Sequence, residues 1–200
     1  MFTGIIEAMG TVEAAEHSNE QLVLTISSTL TPELKVDQSV AHNGTCLTVT
    51  SIEDNKFTVC AVKETIDKTT VGNWQKGDSI NLERGIKLND RLDGHIVQGH
   101  VDTVGKCIKI STQGQNRVYT FMFDASFAAL IVEKGSIVVN GVSLTCYNVT
   151  SNSFQLTLIP YTWEHTSFNA LQENEAVNLE FDILGKYIQR HLSLQKQDKS

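Results

Sequence analysis

An internal repeat constrains the fold of this chain more than any other feature of its sequence. The stretch HNGTCLTV begins at His42, and the similar stretch VNGVSLTC begins at Val139, 97 residues later. At this offset, residues 43–83 align with residues 140–180 without a gap, and 12 of the 41 positions are identical. A gapless match of this length indicates that one structural unit is present twice.

The beginning of the chain belongs to the same repeat at a slightly different offset. TGIIEAMG from Thr3 resembles QGHVDTVG from Gln98, an offset of 95. We therefore expect two tandem copies, roughly residues 1–88 and 96–184, with a short joint between them.

Each copy has the pattern of a β-domain. Short alternating runs such as TCLTVTSI, KFTVCAV and SINLE are separated by turn residues. The dipeptide Asn-Gly, which begins at Asn43 and again at Asn140, is a strong hairpin signal because both residues tolerate a positive φ. About six short strands in each copy favour a small closed barrel, which leaves no exposed sheet edge. Helix is scarce, and short helices are predicted only near 29–38 and 126–135.

The end of the chain departs from the β pattern. In DILGKYIQRHLSLQKQ the apolar residues have helical spacing; they are Ile183, Leu184, Tyr187, Ile188 and Leu192. Such a helix either lies on its own barrel or packs against copies of itself in an oligomer. The spacing leaves both arrangements open.

Composition narrows the class of protein. A chain of 200 residues buries about 70% of its unfolded surface and needs no disulfide or metal to fold. The net charge of −7 argues against nucleic acid as a partner. No apolar run approaches the roughly 18–20 residues that cross a membrane, and MFTGIIEAMG does not resemble a signal peptide. The four cysteines lack a CxxC spacing, so we expect no metal and four free thiols in a reducing cytosol.

The first hairpin strand has one polar and one apolar face. Because side chains alternate along a strand, Cys46, Thr48 and Thr50 share one face. Leu47 and Val49 share the other face and are expected to fill the barrel. A cysteine on the polar face is either a reactive group or a residue that a half-exposed strand merely tolerates.

The second hairpin strand repeats this division with one change. Ser143 and Thr145 take the polar face, while Leu144 and Cys146 point inward. Cys146 is therefore predicted to be a small buried hydrophobic residue. Ser143 stands where the first copy has Cys46.

The joint supplies a group that belongs to the second copy alone. In RLDGHIVQGHVD, His95 and His100 are five residues apart and lie on opposite faces of a regular strand, which argues against a two-histidine metal site. His100 and Asp102 share a face, so Asp102 is expected to orient the imidazole unless this histidine is structural. His100 aligns with Ile5, just as Ser143 aligns with Cys46. Two polar faces with different distinctive groups predict two related pockets with different roles.

These motifs resemble those of the riboflavin synthase family. The resemblance rests on MFTGIIE, HNGTCLTV, VNGVSLT, KETIDKTT and DGHIVQGHVDT, and it extends from Met1 to about Lys186. It implies an all-β fold of two tandem six-stranded Greek-key barrels with a pseudo-twofold repeat, at 1–95 and 96–184. A C-terminal α-helix and tail at 185–200 would hold a homotrimer. Each site would form where the N-terminal barrel of one subunit meets the C-terminal barrel of another.

The resemblance also implies a reaction. Two molecules of 6,7-dimethyl-8-ribityllumazine per site would exchange a four-carbon unit and give riboflavin and 5-amino-6-(D-ribitylamino)uracil, in the last step of riboflavin biosynthesis. No cofactor and no metal would take part. Lumazine synthase is implied as a protein partner and the cytoplasm as the location.

The family resemblance assigns site residues to two pockets. The first would use Gly4, Ile5, Ile6, Cys46, Leu47, Thr48, Cys60, Ala61, Val62, Lys63, Glu64 and Thr65. The second would use Gly99, His100, Val101, Lys134, Ser143, Leu144, Thr145, Thr157, Leu158, Ile159, Pro160, Tyr161 and Thr162.

Four of these residues are the expected catalytic groups, and they are Cys46, His100, Ser143 and Thr145. His100 would handle protons, while Cys46 together with Ser143 or Thr145 would activate or position a nucleophile or water.

Three other classes of protein compete with this interpretation. A non-catalytic antenna protein that binds lumazine or flavin would have the same double barrel but would lose catalytic groups from one half. A flavin reductase barrel would need a nucleotide-binding domain, for which the chain leaves no room. A purely structural β-protein would not account for two matched polar faces with different reactive groups.

Overall fold

The first copy of the repeat folds into a closed six-stranded antiparallel barrel. The computed structural model describes residues 1–18 and 20–197. The strands of this barrel are β1 (Ala8–Ser18), β2 (Gln21–Ser28), β3 (Ser39–His42), β4 (Thr45–Glu53), β5 (Lys56–Val62) and β6 (Ser79–Arg84). They are hydrogen-bonded around the barrel in the order β1-β2-β5-β4-β3-β6.

The second copy has the same strand order. Its strands are β7 (Thr103–Gln113), β8 (Asn116–Met122), β9 (Ser136–Val139), β10 (Val142–Thr145), β11 (Ser153–Leu158) and β12 (Ala176–Phe181), in the order β10-β9-β12-β7-β8-β11. Strands β10 and β11 are linked beyond the end of β10 by one isolated antiparallel pair, Tyr147 and Gln155. The predicted fold of two six-stranded units with an internal repeat is confirmed. The first unit is a closed barrel, whereas the second is a six-stranded sheet whose end strands are linked by this pair.

The short helices differ from the predicted ones. Near 29–38 and 126–135 the chain forms only 3₁₀ turns, at Thr31–Glu33 and Ala125–Leu130. Two short α-helices instead follow β5 and β11, namely α1 (Lys63–Lys68) and α2 (Pro160–Glu164).

Threonine side chains close both of these helices. The Thr69 hydroxyl donates to the carbonyl of Thr65, and the Thr166 hydroxyl donates to the carbonyl of Thr162, both at 2.7 Å. These four threonines are two of the identical pairs in the repeat. These identities of the repeat therefore mark a turn of helix that ends in the same way in both copies.

Each barrel encloses its own apolar core, as the strand alternation predicts. Leu47 and Val49 are buried in the first core, and Cys146 is completely buried in the second. The second core is rich in packed aromatic rings, and these include Tyr119, Phe121, Phe154 and Phe168. Burial raises the pKa of the Cys146 thiol, which lies 3.2 Å from the carbonyl of Val132.

The two Asn-Gly turns face each other between the barrels. Asn43 and Asn140 have φ values of 43° and 47°, and Gly44 and Gly141 have values of 81° and 82°. A Cβ added to Gly44 would lie 2.8 Å from the Gly141 nitrogen, and the reverse distance is 2.7 Å. Both glycines are therefore required for the close approach of the two copies as well as for the turns.

Two further asparagines hold the two copies together. Asn178 Nδ2 donates to the carbonyl of Asn43 at 2.9 Å, and Asn178 Oδ1 accepts from the Thr70 amide at 2.8 Å. Asn81 Nδ2 donates in the same way to the carbonyl of Asn140 at 2.7 Å. Because these side chains are buried and cross between the repeats, they fix the barrels in a pseudo-twofold arrangement.

The C-terminal helix α3 (Ile183–Gln197) confirms the helix predicted from the spacing of apolar residues. Its first turn is attached to the second barrel, since Lys186 Nζ lies 2.7 Å from Asp102 Oδ2. Leu184, Tyr187 and Ile188 are nevertheless 60–71% exposed. Residues 198–200, at the end of the predicted tail, lie outside the described part of the chain. None of the described helices has the length and apolar character needed to span a membrane.

Candidate active site

The first site face is the polar face of β4 with the segment that follows β5. Cys46 is half-buried on this face, and Thr48 next to it is exposed. Val62, at the end of β5, is 53% exposed, and Lys63 and Glu64 continue the open surface into α1. An apolar side chain beside hydroxyl, thiol and carboxylate groups can bind a planar ring that carries a polar chain.

The second site face is the equivalent surface of the other barrel. Ser143 is half-buried, Thr145 is exposed, and Ile159 is 57% exposed in the position of Val62. Tyr161 lies beyond it at the start of α2 and stacks on His165, with 4.3 Å between the ring centroids. The two faces share a backbone plan and differ in their side chains.

Each site face receives a segment from the opposite copy of the repeat. The backbone amide of Cys46 donates to the carbonyl of Gly99 at 2.8 Å. The amide of Ser143 donates to the carbonyl of Gly4, also at 2.8 Å. Ile6 packs against the core of the second barrel.

This crossing differs from the grouping expected from the sequence. Residues 4–6 were assigned with Cys46, and residues 99–101 with Ser143. The structure places residues 4–6 with the second site face and puts Gly99, at the start of 99–101, against the first. The repeat aligns equivalent positions but does not show which copy each segment contacts, so the exchange could not be read from the alignment.

The two crossing segments depend on glycine. Gly4 and Gly99 have φ values of 79° and 78°. A Cβ on Gly4 would lie 2.5 Å from the Ser143 Cβ, and one on Gly99 would lie 2.7 Å from the Cys46 Cβ. No other residue gives both the conformation and this closeness to the strand that carries the candidate catalytic side chain.

Two buried glutamates hold the crossing segments in place. Glu83 Oε1 accepts from the Thr3 amide at 2.6 Å, and Oε2 accepts from the Gly4 amide at 3.0 Å. Glu180 accepts from the amides of Gln98, Gly99 and His100 at 2.7–3.1 Å; the accepting atoms are Oε1 for the first and Oε2 for the other two. Burial raises the pKa of both carboxyl groups, and that of Glu180 to about 7. The sequence signal for these residues was available, since Glu83 and Glu180 are an identical pair of the repeat.

His100 lies at the surface, but Asp102 does not orient it. The His100 amide is bound to Glu180, and the His100 residue is exposed. The Asp102 carboxylate instead accepts from the Phe181 amide at 2.8 Å and pairs with Lys186. The expectation that Asp102 orients the imidazole is therefore wrong, because its carboxylate binds the Phe181 amide and Lys186 instead. Strand geometry alone could not show that α3 supplies this competing cation.

Several predicted site residues point away from the faces. Leu47, Ala61 and Leu158 are buried in the barrel cores, so only their backbone groups can reach a ligand. Leu144 is half-buried and packs against the second core. The side chains open to solvent on the two faces are the polar ones, the pair Val62 and Ile159, and Ile5, which is 45% exposed.

Lys134 is connected to the second site face through a residue that the sequence analysis missed. Lys134 has a φ of 64°, and its Nζ lies 5.2 Å from the centre of the Tyr147 ring. The Tyr147 hydroxyl is 2.8 Å from Thr157 Oγ1. Tyr147 aligns with Thr50 of the first copy. This replacement of a small residue by a large aromatic one is the sequence signal that could have identified Tyr147.

His95 is the second residue that the sequence analysis did not place in the site. Its Nδ1 lies 2.7 Å from Ser143 Oγ.

Within the described residues, no group of three or more histidine, cysteine, aspartate or glutamate side chains could hold a metal ion. The hydroxyl, thiol and imidazole groups on the two faces can support hydrogen bonding, proton transfer and nucleophilic attack.

Comparison with known protein families shows that both halves of this double barrel match the same domain family. The lumazine binding domain family matches residues 3–85 and again residues 98–182. The chain is thus a tandem lumazine-binding-domain protein. The crystal structure of LumP complexed with riboflavin has the same fold, with a TM-score of 0.84 and 19% identity over 91% of this chain and 100% of that chain.

Sequence relatives narrow the class further. A riboflavin synthase from Bacillus subtilis (strain 168) is 38% identical over 100% of this chain and 94% of that protein. One from Actinobacillus pleuropneumoniae is 36% identical over 100% of this chain and 93% of that protein. One from Mycobacterium tuberculosis (strain ATCC 25618 / H37Rv) is 38% identical over 95% of this chain and 97% of that protein. The chain belongs to the riboflavin synthase family.

Proposed function

We propose that this chain converts two molecules of 6,7-dimethyl-8-ribityllumazine into riboflavin and 5-amino-6-(D-ribitylamino)uracil. The observation that carries the proposal is the pair of equivalent site faces, one with Cys46 and one with Ser143, in a member of the riboflavin synthase family. In this dismutation one lumazine donates a four-carbon unit and an identical one accepts it. Two pockets with the same ring-binding plan and different side chains suit such a reaction.

The two pockets follow the crossing of the segments. The first pocket consists of residues 46–48, 60–65 and 99–101. The second consists of residues 143–145, 157–162 and 4–6, together with Lys134. Backbone groups at the strand ends would read the amide edge of the ring, and hydroxyl groups with Glu64 would hold the ribityl chain. Hydrogen bonds of this kind select strongly against analogues that lack the matching groups.

Both faces are open in the single chain, which supports a site shared between subunits. Val62, Ile159 and His100 are all exposed, although a ligand pocket normally encloses most of its ligand. If the first face of one subunit met the second face of another, each face would cover the other. Two lumazine rings would then stack between the faces in the same site.

The C-terminal helix would hold the subunits together. Leu184, Tyr187, Ile188 and Leu192 leave an exposed apolar stripe along α3. A stripe of this kind is typical of a helix that packs against other helices. We propose a homotrimer that buries this stripe at its centre.

The chemistry has two parts. A proton leaves the 7-methyl group of one lumazine, whose anion is delocalised into the ring, and a nucleophile adds to C7 of the other. His100 would move the proton, while Cys46, Ser143 and Thr145 would position the nucleophile or water. Holding two rings in register supplies much of the rate, since proximity is worth roughly 7–11 kcal/mol.

The proposal extends to the location of the protein, the cytoplasm, and to a protein partner. The four cysteines are free, as a cytoplasmic protein would keep them. Lumazine synthase, the partner that makes the substrate, stays a prediction.

The alternative of a non-catalytic antenna is less well supported. Cys46, His100, Ser143 and Thr145 are all present, and the relatives that match the full chain include riboflavin synthases. To test the assignment, the lumazine would be added in at least twofold molar excess over the protein, so that both pockets can be filled, without cofactor, and its absorbance followed. We expect the lumazine spectrum to decay as that of riboflavin appears. A bound lumazine whose spectrum persists for hours would identify an antenna.

A further inference from the structure

We propose that His95 is a positioning residue that holds the Ser143 hydroxyl toward the ligand in the second pocket. This inference rests on the proposed function, because it assigns His95 a part in that reaction. The imidazole Nδ1 and the Ser143 Oγ are 2.7 Å apart, the distance of a strong hydrogen bond. His95 acts through Ser143 and needs no contact with the substrate.

The backbone of His95 is fixed in the same place. Its amide donates to the carbonyl of Thr3 at 3.1 Å, next to Gly4, whose carbonyl accepts from the Ser143 amide. A Cβ added to the neighbouring Gly94 would lie 2.0 Å from the Thr3 oxygen and 3.0 Å from the Ser143 Cβ. The joint between the repeats is therefore packed directly against Ser143, and the contact between the two side chains is part of the fold.

The contact has no equivalent in the other half of the protein. Within the described part of the chain, no side-chain hydrogen bond reaches the Cys46 thiol. The second copy thus has Ser143 hydrogen-bonded to His95 where the first copy has Cys46 without such a partner. The two pockets therefore differ by a pair of residues, not by one.

The surroundings of His95 favour a neutral imidazole. Burial lowers the pKa of His95, and the carboxylate of Asp182, the charged group that acts on it, opposes this only in part. Nε2 is buried and has no hydrogen-bond partner within the described residues, so the ring contacts Ser143 through Nδ1 alone. When Nδ1 accepts the Ser143 hydroxyl proton, the two lone pairs of Ser143 Oγ are left to face the pocket, where they can bind the attacking water.

Two variants of His95 separate positioning from a structural role. His95→Asn keeps an acceptor close to the place of Nδ1, whereas His95→Phe keeps the ring shape and removes both nitrogens. We expect kcat for riboflavin formation to fall about 100-fold in His95→Phe and to stay within about tenfold of the wild type in His95→Asn. Binding of riboflavin, measured by fluorescence titration, should stay the same in both, which also shows that the variants are folded.

A double-mutant cycle with Ser143→Ala makes the test decisive. If His95 acts through Ser143, His95→Phe should lower kcat by less than about twofold once Ser143 has been replaced. Equal losses in both backgrounds, or equal losses in His95→Phe and His95→Asn, would overturn the proposal. A wild-type protein that binds lumazine without turnover would instead contradict the proposed function, so the two failures can be told apart.

Discussion

The amide of Cys46 donates a 2.8 Å hydrogen bond to the carbonyl of Gly99, and so ties the distinctive thiol of the first copy to the beginning of the second. The equivalent bond runs from Ser143 to Gly4. The repeat therefore does more than duplicate a barrel, because each copy completes the site face of the other. A separated half of the chain would lack part of both pockets.

Exchange of the distinctive side chains tests their separate roles. We expect Cys46→Ser to keep kcat within about tenfold of the wild type, because the hydroxyl can position the same nucleophile and proximity supplies much of the rate. The reciprocal Ser143→Cys should be affected more, since a thiol is a weak partner for His95 Nδ1. Steady-state kinetics and ligand titration of both variants check this. Complete loss of turnover in Cys46→Ser with intact binding would show an essential thiol.

Substitution of Gly99 tests the crossing segment. Gly99→Ala combines a positive φ with an overlap against the Cys46 Cβ, so it should shift residues 99–101 and lower kcat by about 100-fold. Gly114→Ala is the matched control, because Gly114 also has a positive φ, of 63°, but a Cβ there meets nothing within 4 Å. Denaturation with urea should show a larger loss of stability for Gly99→Ala than for Gly114→Ala. Equal effects in the two variants would mean that only backbone strain matters.

His42 gives the stability a dependence on pH. Burial lowers the pKa of His42 from its ordinary value of 6.5 to about 4. Below pH 6.5 the unfolded chain takes up a proton that the folded chain refuses, so the contribution of His42 to stability falls as the pH drops from 6.5 to about 4, by about 3 kcal/mol at most. The raised pKa of Glu180 acts in the opposite direction over the same range, so the comparison with a His42 variant isolates this component. In His42→Val, which copies Val139 of the second repeat, this component should disappear. Urea denaturation between pH 6.5 and about 4 measures the free energy of unfolding of both proteins. If the two values fell in parallel as the pH drops, His42 would not be the source of the pH dependence.

The stripe on α3 can be tested without touching either site face. Ile188→Glu places a charge in the proposed trimer contact, and we expect the trimer to dissociate. Gln189→Glu adds the same charge beside the stripe and should leave the trimer intact. Light scattering after size-exclusion chromatography gives the mass of each variant. A wild-type protein that is a monomer at the concentrations of the assay would contradict the proposed assembly.

The sequence predicted the fold well because the repeat and the strand alternation are local patterns. Leu47 and Val49 point inward, Cys46 and Thr48 do not, and Cys146 is buried, as alternation requires. The same information could not place Gly4 against Ser143, since alignment of two copies does not say which one a segment contacts.

Contacts between distant segments explain the remaining differences. Asp102 was expected to bind His100, but the Phe181 amide and Lys186 take its carboxylate. His95 was considered only as a possible metal ligand, because nothing in the spacing brings it to Ser143, 48 residues away. Interactions of this kind depend on how the joint and α3 pack on the barrels, and no local pattern encodes them.

The central claim is that two chemically different pockets carry out one dismutation. It is tested most directly by incubating the purified protein with 6,7-dimethyl-8-ribityllumazine, without added cofactor, and quantifying both products by chromatography. The account predicts one riboflavin and one 5-amino-6-(D-ribitylamino)uracil for every two lumazines consumed. Tight binding of lumazine with no product would contradict it and would make Cys46, His100 and Ser143 parts of a binding surface.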